Sequence, residues 1–175
     1  MRLFIERCAA KGYKPIECGG NGHCLLFSLA HEMLVNGLGV FAVAQLRAKV
    51  ASWLEAHPME GFICTDEFSS WAEFCDKVRD EKFHTLGGEH ILVAISAIFN
   101  VQIRVSSITK AHDKVYHPGN TEDGRFVAIL HLGHIPEQHY VAMTPVLNHH
   151  LYTVTIVKKF TTLKSDFFHT YLERI

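Results

Sequence analysis

A glycine-rich segment that ends in a cysteine is the part of this sequence best suited to chemistry. It reads ECGGNGHC over residues 17–24. Directly after it, apolar residues recur at the three- and four-residue spacing of a helix, and Asn36-Gly37 supplies a helix stop signal. The apolar positions are Leu26, Leu29, Ala30, Met33 and Leu34. Cys24 is therefore predicted to lie at the N-terminus of a largely buried helix.

A thiol in that position is suited to nucleophilic catalysis. The N–H groups and the positive dipole end at a helix N-terminus stabilise a thiolate relative to a thiol. The glycines permit a tight turn, so that the backbone N–H groups of Asn21, Gly22, His23 and Cys24 could point into one concavity and hold an oxyanion. Most free cysteines, however, are small buried hydrophobic residues, and the loop by itself leaves both interpretations open.

A nucleophilic cysteine needs an imidazole that accepts its proton, and that residue can be distant in the sequence. His139 is the first candidate, because it opens the strand-like run HYVAM after a loop and could reach a cleft from an anchored backbone. His134 lies on the same loop and is the nearest rival. The ring of His23 is expected to diverge from the neighbouring thiol, and the pair at 149–150 lies in a polar turn.

Hydrophobic periodicity and turn residues predict helices in the first part of the chain and strands in the second. Helices are predicted at 3–11, at 43–56, from a capping box at Ser70 and Glu73, and from Gly87-Gly88 to Asn100. Strands are predicted at 101–105, 126–132, 139–146 and 151–157, followed by a short helix at 165–175. Helices and then strands on one core indicate an α+β or α/β sandwich.

The composition is that of one ordinary globular domain. The chain has 175 residues, and its formal charge of -1 gives no electrostatic reason to expect nucleic acid or an anionic membrane as a partner. Five cysteines without paired CxxC spacing argue against a disulfide framework and favour a reducing compartment. The N-terminus shows no secretory signal, and no apolar run is long enough for a membrane span. We expect a soluble, intracellular protein.

The 13 histidines raise a metal site as an alternative, formed by His131, His134 and His139 with Cys18 or Cys24. The spacing H-x2-H-x4-H matches neither HExxH nor the paired short spacings of structural zinc sites. We therefore expect neither a metal nor another cofactor.

Several segments together resemble the OTU (ovarian tumour) family of cysteine proteases. NGHCLLFSLA is similar to the cysteine motif D-G-N-C-L-F of that family and the helix that follows it. LGGEHILVAISAIFNVQIRV resembles the W-G-G segment, EQHYVAM resembles the histidine motif, and LRAKVASWLEAHP fits the intervening helix. The blocks occur in the order of the family and cover about 15–144, so that 146–175 would be a C-terminal extension of a single domain, 1–175.

The resemblance implies an α+β, papain-like OTU fold with a mixed β-sheet flanked by helices. It implies hydrolysis of the isopeptide bond between a ubiquitin C-terminal glycine and a lysine, with Cys24 as nucleophile and His139 as general base. The backbone amides of residues 21–24 would form the oxyanion hole. Ubiquitin, polyubiquitin or a ubiquitin-like modifier is the expected partner of a monomer in the cytoplasm, or in the host cytoplasm if a virus or bacterium supplies the protein.

Two departures from the family pattern concern the residue that orients the histidine. Asn21 stands where the family has an aspartate, and Val141 stands where it often has an aspartate or asparagine. Asn21 is the first candidate for the orienting role, followed by Asn148 or Glu17. Leu86 also replaces a tryptophan, and His23 replaces the asparagine beside the nucleophile. Without acidic support, a module that binds ubiquitin and does not cut it is the alternative function.

Overall fold

The structure of the chain, a computed structural model, describes residues 2–19, 22–59, 68–80, 88–119, 125–135 and 139–146. Within these ranges the helices are α1 (Arg2–Ala10), α2 (Cys24–Val35), α3 (Val43–Ala56), α4 (Trp71–Arg79) and α5 (Gly88–Phe99), with a short 3-10 helix at Lys110–His112. The strands are β1 (Tyr13–Ile16), β2 (Val101–Ser107), β3 (Lys114–Tyr116), β4 (Ala128–Ile135) and β5 (His139–Pro145). No helix in these ranges is long and apolar enough to cross a membrane.

The strands form one mixed sheet in the order β1-β5-β4-β2-β3. β2 and β4 are parallel, whereas the other neighbouring strands are antiparallel. This architecture confirms the α+β prediction of a mixed sheet flanked by helices. The edge strands β1 and β3 were not predicted, because runs of four and three residues carry too little periodicity to be recognised. The strand predicted at 151–157 and the helix predicted at 165–175 lie outside the described residues.

The helices predicted within the described residues are confirmed, but α2 is buried on more than one face. It begins at Cys24 and ends before Gly37, whose φ of +76° breaks the helix as the stop signal predicted. Besides its apolar residues, the polar side chains of Ser28, His31 and Glu32 are buried. α2 therefore lies between the sheet and α3, and its polar residues need partners on both sides.

The capping box predicted for α4 is present with one altered contact. Ser70 Oγ accepts a hydrogen bond from the backbone N–H of Glu73 at 3.2 Å. The Glu73 carboxylate accepts hydrogen bonds from the backbone and the hydroxyl of Ser69, instead of from the backbone of Ser70. The α4 N-terminus is therefore capped by side chains of its own segment, as predicted.

The sheet carries two cores, one on each face. Leu130 and Leu132 of β4 belong to the main core under the helices, whereas Ile135 packs with Phe4 of α1 in a second cluster. Because side chains alternate across a strand, α1 covers the opposite face of the sheet. It can lie this close only because residue 133 is glycine. A Cβ atom there would lie 2.4 Å from Phe4 Cζ and 2.7 Å from a Val141 methyl.

We expect Gly133→Ala to lower the free energy of unfolding by about 1 to 3 kcal/mol, because the added methyl group overpacks the cluster under α1. Urea denaturation measures the change. Gly119→Ala is the matched control, since a Cβ atom there meets nothing within 4 Å. Equal stabilities of the two variants would show that α1 yields to the extra methyl without cost.

Candidate active site

The sulfur of Cys24 lies beside the start of β5. The backbone N–H of Tyr140 is directed at Cys24 Sγ, with an N···S distance of 3.4 Å, although the two residues are 116 positions apart. Tyr140 directly follows His139 in β5. The chain enters α2 through Gly22, whose φ of +77° is readily adopted only by glycine. The fold thus brings together the thiol and the strand that carries the predicted base.

The ring of His139 is held by Glu17. His139 Nε2 lies 2.7 Å from Glu17 Oε2, and Glu17 directly follows β1. Because β1 runs antiparallel to β5, the end of β1 lies beside the beginning of β5. With Nε2 engaged by the carboxylate, Nδ1 is the ring nitrogen that can take the thiol proton. The sequence pattern gave Glu17 only as the last candidate for this contact.

The remaining predicted site residues divide into two groups. Gly22, His23 and Cys24 are described: α2 begins at Cys24, His23 is its N-cap residue, and Gly22 directly precedes it. The predicted role of their backbone N–H groups in an oxyanion hole stays a prediction. Asn21 and Asn148 lie outside the described residues, so their predicted roles stay predictions.

The two rival histidines have other partners. His134 stacks on the ring of Tyr140 with centroids 4.5 Å apart, and burial lowers its pKa. His23 Nδ1 lies 2.8 Å from a guanidinium nitrogen of Arg47, and its ring packs edge-on against Phe27. The ring of His23 is thus directed toward α3, in agreement with the prediction that it diverges from the thiol.

The alternative metal site is not assembled in the described residues. His131 Nε2 lies 3.0 Å from the Tyr13 hydroxyl, and the two rings are stacked. His134 lies on Tyr140, and His139 contacts Glu17. Across the part of the chain that the structure describes, no group of three or more potential ligand side chains is placed to hold a metal ion.

Glu32 anchors α2 to the two central strands of the site. Its carboxylate accepts a hydrogen bond from the backbone N–H of His131 at 3.0 Å. The backbone N–H of Met143 also acts on this carboxylate and lowers its pKa. These residues lie one step beyond Leu132 and Ala142, the last pair of the β4–β5 ladder. The carboxyl group therefore takes up the donors of both strands where their pairing ends.

Burial of this anchor changes its ionisation. The side chain of Glu32 is almost fully buried, and desolvation raises its pKa to about 8, although the two backbone donors act in the opposite direction. No sequence signal identified this residue, because its partners are about a hundred positions away. A lone glutamate in the middle of a buried apolar helix was the available hint.

The second glycine of the Gly87-Gly88 pair lets α5 approach Tyr140. A Cβ atom at Gly88 would lie 3.3 Å from the Tyr140 hydroxyl and 3.6 Å from a Leu25 methyl. Burial between these elements raises the pKa of Tyr140 to about 12, and Glu89 and Cys24 act in the same direction. Tyr140 is thus enclosed by α5, α2 and His134, which fixes the backbone that faces the thiol.

Replacing Glu32 by glutamine should change the pH dependence of stability. The folded chain holds the Glu32 proton up to a pKa of about 8, whereas an unfolded glutamate releases it near 4.5. The folded state then binds more protons between these values, so this group makes the free energy of unfolding fall as the pH rises from about 5 to 8. Glu32→Gln lacks this fall, which is on the order of 3 kcal/mol.

Urea denaturation of the parent and of Glu32→Gln between pH 5 and pH 8 measures this difference. Buried His31 and half-buried His131, whose pKa values are lowered to about 4, titrate in both proteins and are expected to cancel in the comparison. Exposed Glu6, replaced by glutamine, is the control and should leave the profile of the parent unchanged. Parallel profiles for the parent and Glu32→Gln would contradict the assignment.

Comparison with known proteins gives one consistent result. Residues 19–140 match the family model described as OTU-like cysteine protease. A protein of Tipula iridescent virus named as a ubiquitin thioesterase is 25% identical over 146 residues, which cover 78% of this chain and 16% of that protein. The chain thus spans about a sixth of the length of this relative.

Solved structures show the same fold at low sequence identity. An OTU deubiquitinase from Wolbachia pipientis wMel, bound to ubiquitin, superposes with a TM-score of 0.59 at 9% identity, covering 78% of this chain and 98% of that one. The viral OTU domain protease from Dera Ghazi Khan virus gives a TM-score of 0.53 at 13% identity, covering 77% and 82%.

Proposed function

Because this chain belongs to the OTU-like cysteine protease family, we propose that it is a deubiquitinase that uses Cys24 and His139 to hydrolyse isopeptide bonds of ubiquitin. The observation that carries the proposal is the contact between Cys24 Sγ and the backbone N–H of Tyr140. The sulfur thus contacts the residue that directly follows His139. The contact supports a site in which the thiol at the α2 N-terminus works with the imidazole of His139.

The reaction follows from these groups. His139 takes the thiol proton, and the thiolate attacks the carbonyl carbon at the ubiquitin C-terminal glycine. The backbone N–H groups of Asn21, Gly22, His23 and Cys24 hold the oxyanion of the tetrahedral intermediate. His139 then protonates the departing lysine amine and leaves a thioester on Cys24. Water, deprotonated by His139, hydrolyses the thioester and releases the ubiquitin carboxylate and the free thiol.

Glu17 supports this cycle as the orienting group. Its contact with His139 Nε2 favours the ring orientation that turns Nδ1 toward the thiol, and its charge stabilises the imidazolium that forms. The Glu17 side chain is 59% exposed, so the pair contributes little to folding. The role of Glu17 in this proposal is to orient the ring of His139. In this proposal Glu17 takes the role first expected for Asn21, which keeps its backbone role in the oxyanion hole.

In this proposal, residues 15–144 form the catalytic core of one domain, and residues 146–175 are its extension. One chain supplies Cys24, His139 and Glu17, which is consistent with action as a monomer. Ubiquitin conjugates in the cytoplasm, or in the cytoplasm of a host cell, would be the substrates. No step of the mechanism calls for a metal, a cofactor, a nucleic acid or a membrane.

Incubation with a panel of di-ubiquitins tests the activity. We expect the parent to cleave at least one linkage, and Cys24→Ala and His139→Ala to cleave none, because each lacks one reacting group. Gel electrophoresis of the products is the measurement, and the exposed ion-pair variant Glu6→Gln is the control. Cleavage by Cys24→Ala at the parent rate would overturn the mechanism, whereas ubiquitin binding by an inactive parent would favour the binding-module alternative.

Glu17→Gln should lower kcat by about tenfold to a hundredfold with a smaller change in KM, since it removes orientation and charge at His139 and no substrate contact. Steady-state cleavage of a fluorogenic ubiquitin substrate measures both constants. The matched control is Glu6→Gln, which removes an exposed carboxylate on α1. A kcat of Glu17→Gln equal to that of the parent would exclude an orienting role.

A further inference from the structure

One buried guanidinium connects three helices at the nucleophile. Arg47 of α3 is only 1% exposed. Its Nη1 donates a hydrogen bond to the carbonyl oxygen of Val78, in the last turn of α4, at 3.0 Å. Its Nη2 lies 2.8 Å from Nδ1 of His23, the residue that precedes Cys24. The charge of Arg47 is therefore placed between the C-terminal end of α4 and the N-terminal end of α2.

The chemistry of this contact fixes the state of the His23 ring. A guanidinium group donates hydrogen bonds and cannot accept them, so Nδ1 of His23 must be the acceptor. The ring proton is then on Nε2, and the ring is neutral. In the described part of the chain, the His23 side chain does not cap α2 and instead faces Arg47. Its Nδ1 is engaged, so it cannot be the base for Cys24.

The C-terminal end of α4 favours a positive charge at this buried position. Removing a guanidinium from water is unfavourable unless its donors are satisfied. The carbonyl of Val78 lies where the dipole of α4 is negative, which favours a cation. The planar group also fixes the direction of both hydrogen bonds, which an ammonium group does not.

We propose that Arg47 is a positioning residue for Cys24 that acts through His23; this inference rests on the proposed function. The first turn of α2 is formed on His23, whose carbonyl oxygen accepts a hydrogen bond from the Phe27 N–H at 3.0 Å. Fixing the ring of His23 therefore fixes the first turn, and with it the direction of the neighbouring thiol toward His139. Misplacement of a reacting group by about 1 Å from a distant substitution can lower a rate a hundredfold.

The test is a double-mutant comparison of Arg47→Met, His23→Ala and the double variant. The first readout is the rate at which iodoacetamide alkylates Cys24, with peptide fragmentation separating Cys24 from Cys18. The second is the rate of labelling by a ubiquitin probe with a C-terminal electrophile. We expect each single variant to slow both rates about tenfold, and the double variant to be within about twofold of the slower single variant.

Two further variants separate positioning from general loss of stability. Val50→Ala removes buried apolar volume on the same helix and leaves the side chains of Arg47 and His23 in place. It should lower the melting temperature while both rates stay within twofold of the parent. Arg47→Lys keeps the charge and can reach one of the two acceptors, so its rates should lie between those of the parent and Arg47→Met. If Arg47→Met does not fold, Arg47→Lys with His23→Ala gives the same comparison.

Rates that multiply in the double variant, or that follow the melting temperature across all variants including Val50→Ala, would overturn the inference. So would unchanged rates in folded Arg47→Met. Failure of the proposed function gives a different result: the parent would not react with the ubiquitin probe at all. The rates of alkylation by iodoacetamide would still test whether Arg47 positions Cys24 in that case, since alkylation needs no ubiquitin.

Discussion

The buried carboxyl group of Glu32 is the contact on which the geometry of the site depends. It joins α2 to the backbones of β4 and β5 where the two strands cease to pair. Cys24 lies eight residues earlier on the same helix, roughly 12 Å along its axis. A helix packed on both sides moves as a rigid body. Fixing Glu32 against β5 therefore also fixes the position of the Cys24 thiol along the helix axis relative to His139.

A second polar contact lies near the other end of α2. Arg47 holds the ring of His23 from the side of α3 and α4. Glu32 thus holds α2 along the strands, and in our proposal Arg47 sets the orientation of its first turn. These buried polar groups make directional contacts, which apolar packing does not provide.

The sheet brings the other two parts of the site together. β1 and β5 are antiparallel neighbours, so Glu17 after β1 lies beside His139 at the start of β5. α1 packs on the opposite face against Val141 and closes the sheet behind this strand. The proposed catalytic groups therefore belong to three segments, and the turn through Gly22 leads into the one that carries Cys24.

The sequence by itself determined what depends on local pattern. Helical periodicity and stop signals placed α2, α3 and α5, and the glycine-rich loop placed Cys24 at a helix N-terminus, because these features involve residues a few positions apart. His139 was the first candidate for the base because it opens a strand-like run after a loop, with His134 as the nearest rival, and the resemblance of motifs then implied the same residue. Tertiary structure alone decided the polar contacts. Glu17, Glu32 and Arg47 have partners 122, 99 and 24 positions away, and a buried charge has no local pattern that names the group it will meet.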